Sequence, residues 1–445
     1  MPFNPFDKPI GETLTIADLQ LLITRSASEG YFVEYKGQMQ SNEKIAKSIA
    51  ALANTHGGWY FVGVEADKTH NVATNLCGFS LAVTPDPIAV VRDVAKSRIS
   101  PTPVFYPQVV NLTSDLVVLV VYVPEDQDTP FLTKDGRIYR RIADSSDPVF
   151  EKDRYAIDQL YAQGQENFRR FERFCNDSRV FAKSESGVGW VNIFLAPYPY
   201  GMFNKKDLLT SKDSLEKLLQ RSKEQIAVSL FEKLGISGSV PFTSGQLTHR
   251  SVILRQVAPM HVAFNSLTIE FFIDGSAKFY IPLPYAIELT QYDVPEEVES
   301  HVVEKALRSY IATDRTEHSL QYLHFFSMER LCAAILHLVN YYVDWLGDVS
   351  LLTAFKAAVV LNEVWRYVPF ADVDKWGWHV AKFGIPIMPT DVVKIPEEIG
   401  RGLLLPLEKD ASSSIWASLL GYIGLAFGLP QDVLSVLISN SYAKK

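Results

Sequence analysis

Cysteine is scarce in this chain, which has three thiols in 445 residues: Cys77, Cys175 and Cys332. Three scattered thiols form neither a disulfide framework nor a zinc cluster, and they favour a reducing, cytoplasmic setting. An excess of basic residues is also missing, because 43 Lys and Arg stand against 51 Asp and Glu, for a formal net charge of −8. This balance argues against a protein that coats nucleic acid through bulk charge. Any nucleic-acid contact must therefore depend on a local basic patch.

Several familiar sequence signals are absent as well. The first ten residues carry Asp7, Lys8 and three prolines, which is not the pattern of a signal peptide. Residues 411–429 lack charge, but they contain serines and glycines and precede Pro430, so we expect a buried helix and no membrane span. Neither a Gly-x4-Gly-Lys-Ser/Thr phosphate loop nor a Gly-x-Ser-x-Gly nucleophile elbow occurs. The sequence therefore predicts no nucleotide-driven motor and no serine hydrolase site.

The pattern of apolar residues predicts two regions joined by a connector. Residues 1–150 are predicted to form an α/β (α+β) domain with a mixed sheet, and residues 151–180 a polar helical connector. Residues 181–445 are predicted to begin as α+β and to become mainly helical, with a further division near residue 290. The elements behind this division are helices at Asn42–Asn54, Leu215–Leu234, Glu296–Ile311, Met328–Leu346 and Leu351–Arg366, and strands at Trp59–Val64, Leu116–Val123, Arg137–Ile142, Val188–Ala196, Val252–Val257, Ser266–Ile273 and Ala277–Leu283.

A cluster of charged residues lies at the entry to a short predicted strand, Phe32–Lys36. Glu29, Glu34 and Lys36 form the pattern Glu-x4-Glu-x-Lys. In an extended segment, residues two apart share a face, so Glu34 and Lys36 are predicted to project together. Glu65 and Asp67 follow the next strand and could supply a third acid. Carboxylate oxygens suit Mg²⁺ or Mn²⁺, which can activate water, while a lysine can stabilise an attacked phosphoryl group. The alternative is that these residues are ordinary solvated charges on an exposed strand.

Four blocks of sequence resemble the AlbA-type domain of the Schlafen superfamily. They are Glu34-Tyr-Lys36, the helix that ends in Ala53-Asn54-Thr-His-Gly-Gly58, the strand that ends in Val62-Gly-Val-Glu65, and the later Tyr139-Arg140-Arg141. They occur in order over residues 12–150, about a third of the chain. The helix C-cap and glycine turn of the second block would also serve a purely structural role, and His56 in that block is predicted to be an exposed loop residue.

The resemblance implies nucleic-acid binding and, as in the nuclease-active Schlafens, metal-dependent endoribonuclease activity on transfer RNA or similar structured RNA. Glu29, Glu34 and Lys36 match the family's catalytic residues, and Asp67 is expected to join them. The implied ligands of Mg²⁺ or Mn²⁺ are Glu29, Glu34, Glu65 and Asp67. The family places Asp one or two residues after Gly-Val, whereas this chain has Glu65, Ala66 and Asp67, so either acid could complete the site. Many domains of this type are described only as DNA-binding modules, and the leading rival is a non-catalytic DNA-binding regulator.

Basic residues near these blocks are candidates for phosphate contacts. They are Lys44 and Lys47 on the motif helix, and Arg137, Arg140 and Arg141 on the last strand. Residues 1–150 contain 13 Lys and Arg and 17 Asp and Glu, a net charge of −4, so the basic residues would have to be segregated from the acids. A second candidate surface is the lysine-rich helix after Lys205, which is more typical of a solvated face.

The remaining expectations concern assembly. A single motif copy predicts a homodimer that completes the nucleic-acid groove, and the C-terminal region is expected to regulate the protein or to bind a protein partner. By analogy, a role in bacterial anti-phage defence is expected. A third reading makes the chain a structural subunit of a defence or toxin complex. Trp365, Trp376 and Trp378 lie close together in sequence, and packing between helices is their expected use.

Overall fold

The computed structural model describes the chain in ranges separated by gaps. They are residues 3–8, 10, 12–67, 69–125, 128–142, 147–177, 189–200, 203, 205, 212–225, 242, 244–255, 267–283, 324–347, 354–406 and 411–443. The predicted helix Glu296–Ile311 and the end of the lysine-rich helix lie outside the described residues. Two compact units result: Met1–Arg170 with Pro199–Gly201, and Phe171–Tyr198 with Met202–Lys445. The predicted domain boundaries at residues 150 and 180 stay predictions.

The first unit is built on a five-stranded mixed sheet with the order β1-β2-β8-β5, in which β7 pairs with β8. β1 runs parallel to β2, and β8 is antiparallel to β2, β5 and β7. This confirms the predicted mixed sheet. The elements are α1 (Ile16–Thr24), β1 (Val33–Lys36), α2 (Asn42–Ala53), β2 (Gly58–Val62), β3 (Glu65–Ala66), β4 (Ala73–Asn75), β5 (Phe79–Ser80), α3 (Pro87–Arg98), β6 (Ile99–Ser100), β7 (Tyr106–Asn111), β8 (Leu116–Val123), β9 (Leu132–Thr133), β10 (Tyr139–Arg140), β11 (Val149–Phe150) and α4 (Arg154–Asn176). The last part of α4, from Phe171, belongs to the second unit.

Helix α2 covers the sheet because its apolar residues recur at helical spacing. Ile45, Ile49 and Leu52 are fully buried and pack in the core of this unit. The helix begins at Asn42, directly after its N-cap, Ser41. The turn into β2 needs glycine, since a Cβ on Gly58 would lie 2.4 Å from the backbone oxygen of Phe32.

The second unit is built on an eight-stranded antiparallel sheet with the order β13-β14-β15-β16-β12-β18-β20, in which β21 pairs with β18. A buried core joins this sheet to the helices that follow it. The elements are β12 (Trp190–Tyr198), α5 (Lys212–Gln225), β13 (Ser244–Leu247), β14 (Ser251–Arg255), β15 (Thr268–Phe272), β16 (Ala277–Pro282), β17 (His324–Ser327), α6 (Met328–Leu346), β18 (Ala354–Asn362), β19 (Tyr367–Phe370), α7 (Asp374–Phe383), β20 (Val393–Ile395), β21 (Leu403–Pro406), α8 (Ala411–Ala426) and α9 (Gln431–Ala443).

Two predicted elements are wrong in detail. The segment Leu351–Arg366 was predicted as a helix, but Ala354–Asn362 is the strand β18, which pairs with β12 on one side and with β20 and β21 on the other. A strand buried on both faces is continuously apolar, and periodicity alone does not separate it from a buried helix. The predicted strand Arg137–Ile142 shortens to Tyr139–Arg140, because only these residues pair with β11.

The uncharged segment near the C-terminus lies in α8. Ile415, Trp416 and Leu419 are fully buried, and the indole nitrogen of Trp416 donates to the backbone oxygen of Cys332 on α6 at 2.9 Å. This confirms the predicted buried helix. Within the described ranges, no helix has both the length and the apolar character needed to cross a membrane.

Candidate nucleic-acid interface

Glu34 lies inside the first unit, although strand spacing predicted only that it would share a face with Lys36. Its side chain is 1% exposed. Lys36 Nζ lies 3.1 Å from Glu34 Oε1, as the two-residue period of β1 requires. Ser48 on α2 donates to the same oxygen at 2.8 Å, and the guanidinium of Arg141 forms an ion pair with Oε2. Two cations and a hydroxyl therefore satisfy both carboxylate oxygens.

Arg141 is not on the predicted phosphate-binding surface. Its side chain is completely buried, and Nη1 donates to the backbone oxygens of Gly30 at 2.6 Å and Val33 at 3.3 Å. Burial lowers the pKa of the guanidinium, and the negative charge of Glu34 opposes this shift. Arg141 is therefore the buried counter-ion of Glu34, and its assignment to phosphate binding stays a prediction.

The other predicted metal ligands have separate hydrogen-bond partners. The Glu29 carboxylate accepts from the backbone nitrogen of Tyr35 at 2.7 Å, and that of Glu65 accepts from the Asn75 amide at 3.2 Å. Asp67 lies 2.8 Å from His70 Nδ1, and this hydrogen bond is the largest cause of the lowered pKa of Asp67. In the part of the chain that the structure describes, no three His, Cys, Asp or Glu side chains form a group able to hold a metal ion.

As arranged, this donor set does not fit Mg²⁺ or Mn²⁺. Such ions take oxygen ligands and keep several waters, whereas the oxygens of Glu34 face Arg141, Lys36 and Ser48. A cation at Glu34 would have to displace another cation. The assignment of Glu29, Glu34, Glu65 and Asp67 to a metal, and of Lys36 to catalysis, stays a prediction.

The remaining predicted phosphate contacts lie at the surface or near it. Lys44 is exposed on α2, and Arg137 is exposed with its guanidinium 5.1 Å from the centre of the Phe150 ring. Lys47 pairs with Glu43 at 2.6 Å, and this contact raises the pKa of the lysine. Arg140 pairs with Glu151 at 3.0 Å. Lys44 and Arg137 are therefore the more accessible pair, although Arg137 Nε lies 3.8 Å from Asp135 Oδ2, while Lys47 and Arg140 pair more closely with carboxylates.

Two basic residues that sequence reasoning missed complete a pocket with Lys47. A cavity of about 350 Å³ is lined by Lys47, Arg98 and Lys134, together with Glu43, Ala46, Thr133 and Asp135. The pairing of β6 with β9 brings Arg98 and Lys134 together, and the backbone nitrogen of Lys134 donates to the oxygen of Arg98 at 2.8 Å. No local pattern could have linked them, because they lie on different elements. We call this cavity the basic pocket.

Asn54, at the end of helix α2, has mainly a structural role. The Asn54 amide donates to the backbone oxygens of Phe131 at 2.8 Å and Tyr139 at 3.1 Å, and it accepts from the Phe131 nitrogen at 2.7 Å. These bonds connect the end of α2 to β10 and to the residue before β9. His56 is exposed on the loop, as predicted, with Nδ1 3.2 Å from Glu125 Oε1.

The first unit is thus a mixed α/β domain that carries a net negative charge and contains a local basic pocket. Residues 29–150 match the family model described as Schlafen, AlbA_2. The match confirms the resemblance for this segment of the chain, and a domain of this kind implies a nucleic-acid-related function. No curated protein compared with the chain matches it.

Solved structures are similar to the chain over less than a third of its length. The crystal structure of the DIP2311 protein from Corynebacterium diphtheriae is 23% identical, covers 30% of this chain and 29% of that chain, and has a TM-score of 0.20. The solution structure of the N-terminal domain of a RecG-related protein from Nitrosomonas europaea is 24% identical, covers 29% of this chain and 90% of that chain, and also has a TM-score of 0.20. The matched part of this chain thus spans less than a third of the DIP2311 protein.

Proposed function

We propose that the first unit binds nucleic acid by holding a backbone phosphate in the basic pocket. The observation that carries this proposal is the convergence of Lys47, Arg98 and Lys134 on one cavity. Cationic donors form charge-assisted hydrogen bonds with phosphate oxygens, and such contacts position a nucleic acid without reading its bases.

The charges around the pocket favour a local contact over a general coating. Glu43 is paired with Lys47, whereas Arg98 and Lys134 form no ion pair with any residue that the structure describes. Asp135 is held by the hydroxyl of Thr133, which lowers the pKa of the carboxyl and keeps it ionised. Two acids therefore limit the positive charge of the pocket, and Lys44 and Arg137 can extend the contact along the nucleic acid.

In this proposal Glu34 and Arg141 act as positioning residues. Arg141 follows β10 directly, so its ion pair with Glu34 holds the end of β10 against β1. Lys47 Nζ lies 5.1 Å from the centre of the Tyr139 ring on β10, which connects this strand to one wall of the pocket. The buried ion pair thus supports the pocket without contacting the ligand.

The test is binding of a fluorescein-labelled RNA stem-loop, and of the equivalent DNA, to the full chain by anisotropy across a salt series. Arg98→Ala with Lys134→Ala should weaken binding about tenfold or more and reduce the slope of log K against log salt by about 2. The matched control is Arg92→Ala with Lys96→Ala, which removes two exposed cations from the same helix, α3. Equal losses in both double variants would contradict the proposal.

A metal-dependent endoribonuclease acting on structured RNA such as tRNA is the second candidate. The observation that favours it is the close approach of Lys36 to Glu34, 3.1 Å, with a quarter of the lysine side chain exposed. The buried Arg141 counts against it, for the reason given above. Incubation of the full chain with tRNA and Mn²⁺ tests it: cleavage that is lost in Glu34→Gln and Glu29→Ala, both still folded, would support a nuclease. Absence of cleavage by the unmodified chain would leave the non-catalytic reading, with DNA or RNA as ligand.

We also propose that the chain forms a homodimer, binds a protein partner through its C-terminal region and acts in anti-phage defence. Light scattering of the chain with and without RNA tests the dimer, and a stable monomer in both states would contradict it. Co-purification of a second protein at fixed stoichiometry would favour the structural-subunit reading.

A further inference from the structure

Helix α7 of the second unit presents an unusual face to solvent. Its inner face buries Trp376 and Val380, whereas Lys375, Trp378, His379, Lys382 and Phe383 recur at the spacing of a single helical face on the outside. Trp378 is 58% exposed and Phe383 is 62% exposed. We call these five residues the α7 stripe. It contains two large aromatic rings and two lysines, with no acid among them.

The two tryptophans of this helix divide between packing and exposure. Trp376 is fully buried and donates from its indole nitrogen to the backbone oxygen of Pro369 at 3.2 Å, which confirms the expected packing role for this residue. Trp378, two residues later, has no such role because that spacing places it on the outer face of the helix. Trp378 and Phe383 are in contact and together form an exposed aromatic patch, which is the kind of surface that marks an interaction site.

The side chains of the stripe are organised around the rings. Lys382 Nζ lies 4.7 Å from the centre of the Trp378 ring and 5.0 Å from that of Phe383. The two rings contact edge to face, with centroids 6.0 Å apart, and the His379 ring lies 5.0 Å from Phe383. A cation is therefore held beside two aromatic surfaces. The only acid of the helix, Asp374, is in its first turn, at the opposite end from Phe383.

We propose that the α7 stripe binds single-stranded nucleic acid, with bases stacked on Trp378 and Phe383 and phosphates held by Lys375 and Lys382. Aromatic rings interleaved with cations are how proteins bind single strands without reading sequence, since every base has a face that can stack. The local charge favours this ligand: the stripe carries two lysines and no acid, which makes it complementary to a polyanion although the chain as a whole carries −8, and lysine is depleted in protein interfaces. The stripe belongs to the second unit and does not depend on the basic pocket.

The experiment measures binding of a labelled oligo(dT) 12-mer to the full chain that carries Arg98→Ala and Lys134→Ala, so that the pocket of the first unit does not contribute. We expect binding of the single strand in preference to a duplex of equal length. Trp378→Ala with Phe383→Ala should weaken it at least fivefold, because each stacked base is worth a factor of this size or more. The control is Tyr422→Ala, which removes a partly exposed aromatic side chain from α8.

A 5-iodouracil oligonucleotide then locates the contact by photo-cross-linking and peptide mapping. Cross-links to the peptide that contains Trp378 and Phe383 would support the proposal. Cross-links confined to the first unit, or unchanged binding in Trp378→Ala with Phe383→Ala, would overturn it without affecting the basic pocket. If the aromatic variant fails to fold, Lys375→Gln with Lys382→Gln is the second test, and unchanged affinity there also overturns the proposal. Loss of self-association in the aromatic variant, without single-strand binding by the parent, would identify a protein interface and overturn it.

Discussion

Each unit buries a cation, and the two units stabilise it in different ways. In the first unit, Arg141 faces the carboxylate of Glu34 and two backbone oxygens. In the second, Lys278 is 1% exposed, donates to the backbone oxygen of Asp177 at 2.7 Å, and lies 4.8 to 5.9 Å from the centres of the Phe174, Phe194 and Phe272 rings. Removing one partner of the ion pair leaves a buried charge, whereas rings and a carbonyl carry no net charge; Lys278 also lies opposite the buried Glu270 in the pairing of β15 with β16.

The ion pair of Arg141 with Glu34 and the buried Lys278 differ in what they imply for ligand binding. Arg141 and Lys36 already neutralise the charge of Glu34, so this carboxylate is a poor ligand for a further cation. Burial lowers the pKa of Lys278, and the nearby acids Glu270 and Asp177 oppose the shift. The buried charges of Arg141 and Lys278 therefore contribute to the packing of their units, and we propose the basic pocket and the α7 stripe as the charged surfaces that meet ligands.

The largest expected effect comes from removing one partner of the ion pair. Arg141→Met should destabilise the first unit by about 4 kcal/mol, because it leaves Glu34 buried beside a single, partly exposed lysine. Calorimetry of the full chain should show the transition of the first unit lowered by about 10 °C. Arg92→Met, on the exposed side of α3, is the control and should change little. A shift in transition temperature no larger than that of the control would show that the ion pair of Arg141 with Glu34 does not stabilise the first unit.

A smaller effect is expected from Lys278→Met. The methionine keeps the contacts with the three rings and loses the hydrogen bond to Asp177, so the second unit should lose about 2 kcal/mol. The same calorimetric scan measures it, with Lys394→Met on β20 as the exposed control. A loss equal to that of Arg141→Met would show that Lys278 is the main counter-ion of a buried carboxylate such as Glu270.

The smallest effect is expected at a charge pair nearer the surface. Asp18 accepts from the backbone and hydroxyl of Thr15 at the start of α1 and from Lys8, all at 2.7 Å, and the contact with Lys8 is the largest cause of a pKa lowered from 3.8 to about 2. A carboxyl whose pKa is lowered by folding contributes stability above its unfolded pKa and loses it as the pH falls through the folded value. Asp18→Asn should therefore cost about 1 kcal/mol at pH 6.

The pH dependence distinguishes this pair from the buried ones. The difference between the unmodified chain and Asp18→Asn in urea unfolding should shrink as the pH falls from about 4 towards 2. Glu12→Gln, an exposed neighbour, serves as the control. A difference that does not change with pH would mean that the carboxylate charge of Asp18 contributes nothing to stability.

Local patterns predicted the features that depend on neighbouring residues. The two-residue period of β1 placed Lys36 beside Glu34, and helical spacing identified the buried face of α2. The turn at Asp274-Gly275 between β15 and β16 is a local feature of the same kind. Gly275 has φ of +83°, a conformation that glycine adopts without strain. The four blocks of the Schlafen-like segment were also sufficient to identify the domain that the family model matches.

Distant contacts decided the rest. The sequence determined by itself that Glu34 and Lys36 would project together and that a basic patch, not bulk charge, would have to meet a nucleic acid. Only the tertiary structure decided that Arg141 would fill the space beside Glu34, that Arg98 and Lys134 would meet Lys47, and that β18 would be a central strand. The physical reason is the same in each case. The type of a side chain predicts whether it will be buried or paired with an opposite charge, but its partner comes from a distant part of the sequence and is fixed by the packing of the folded unit.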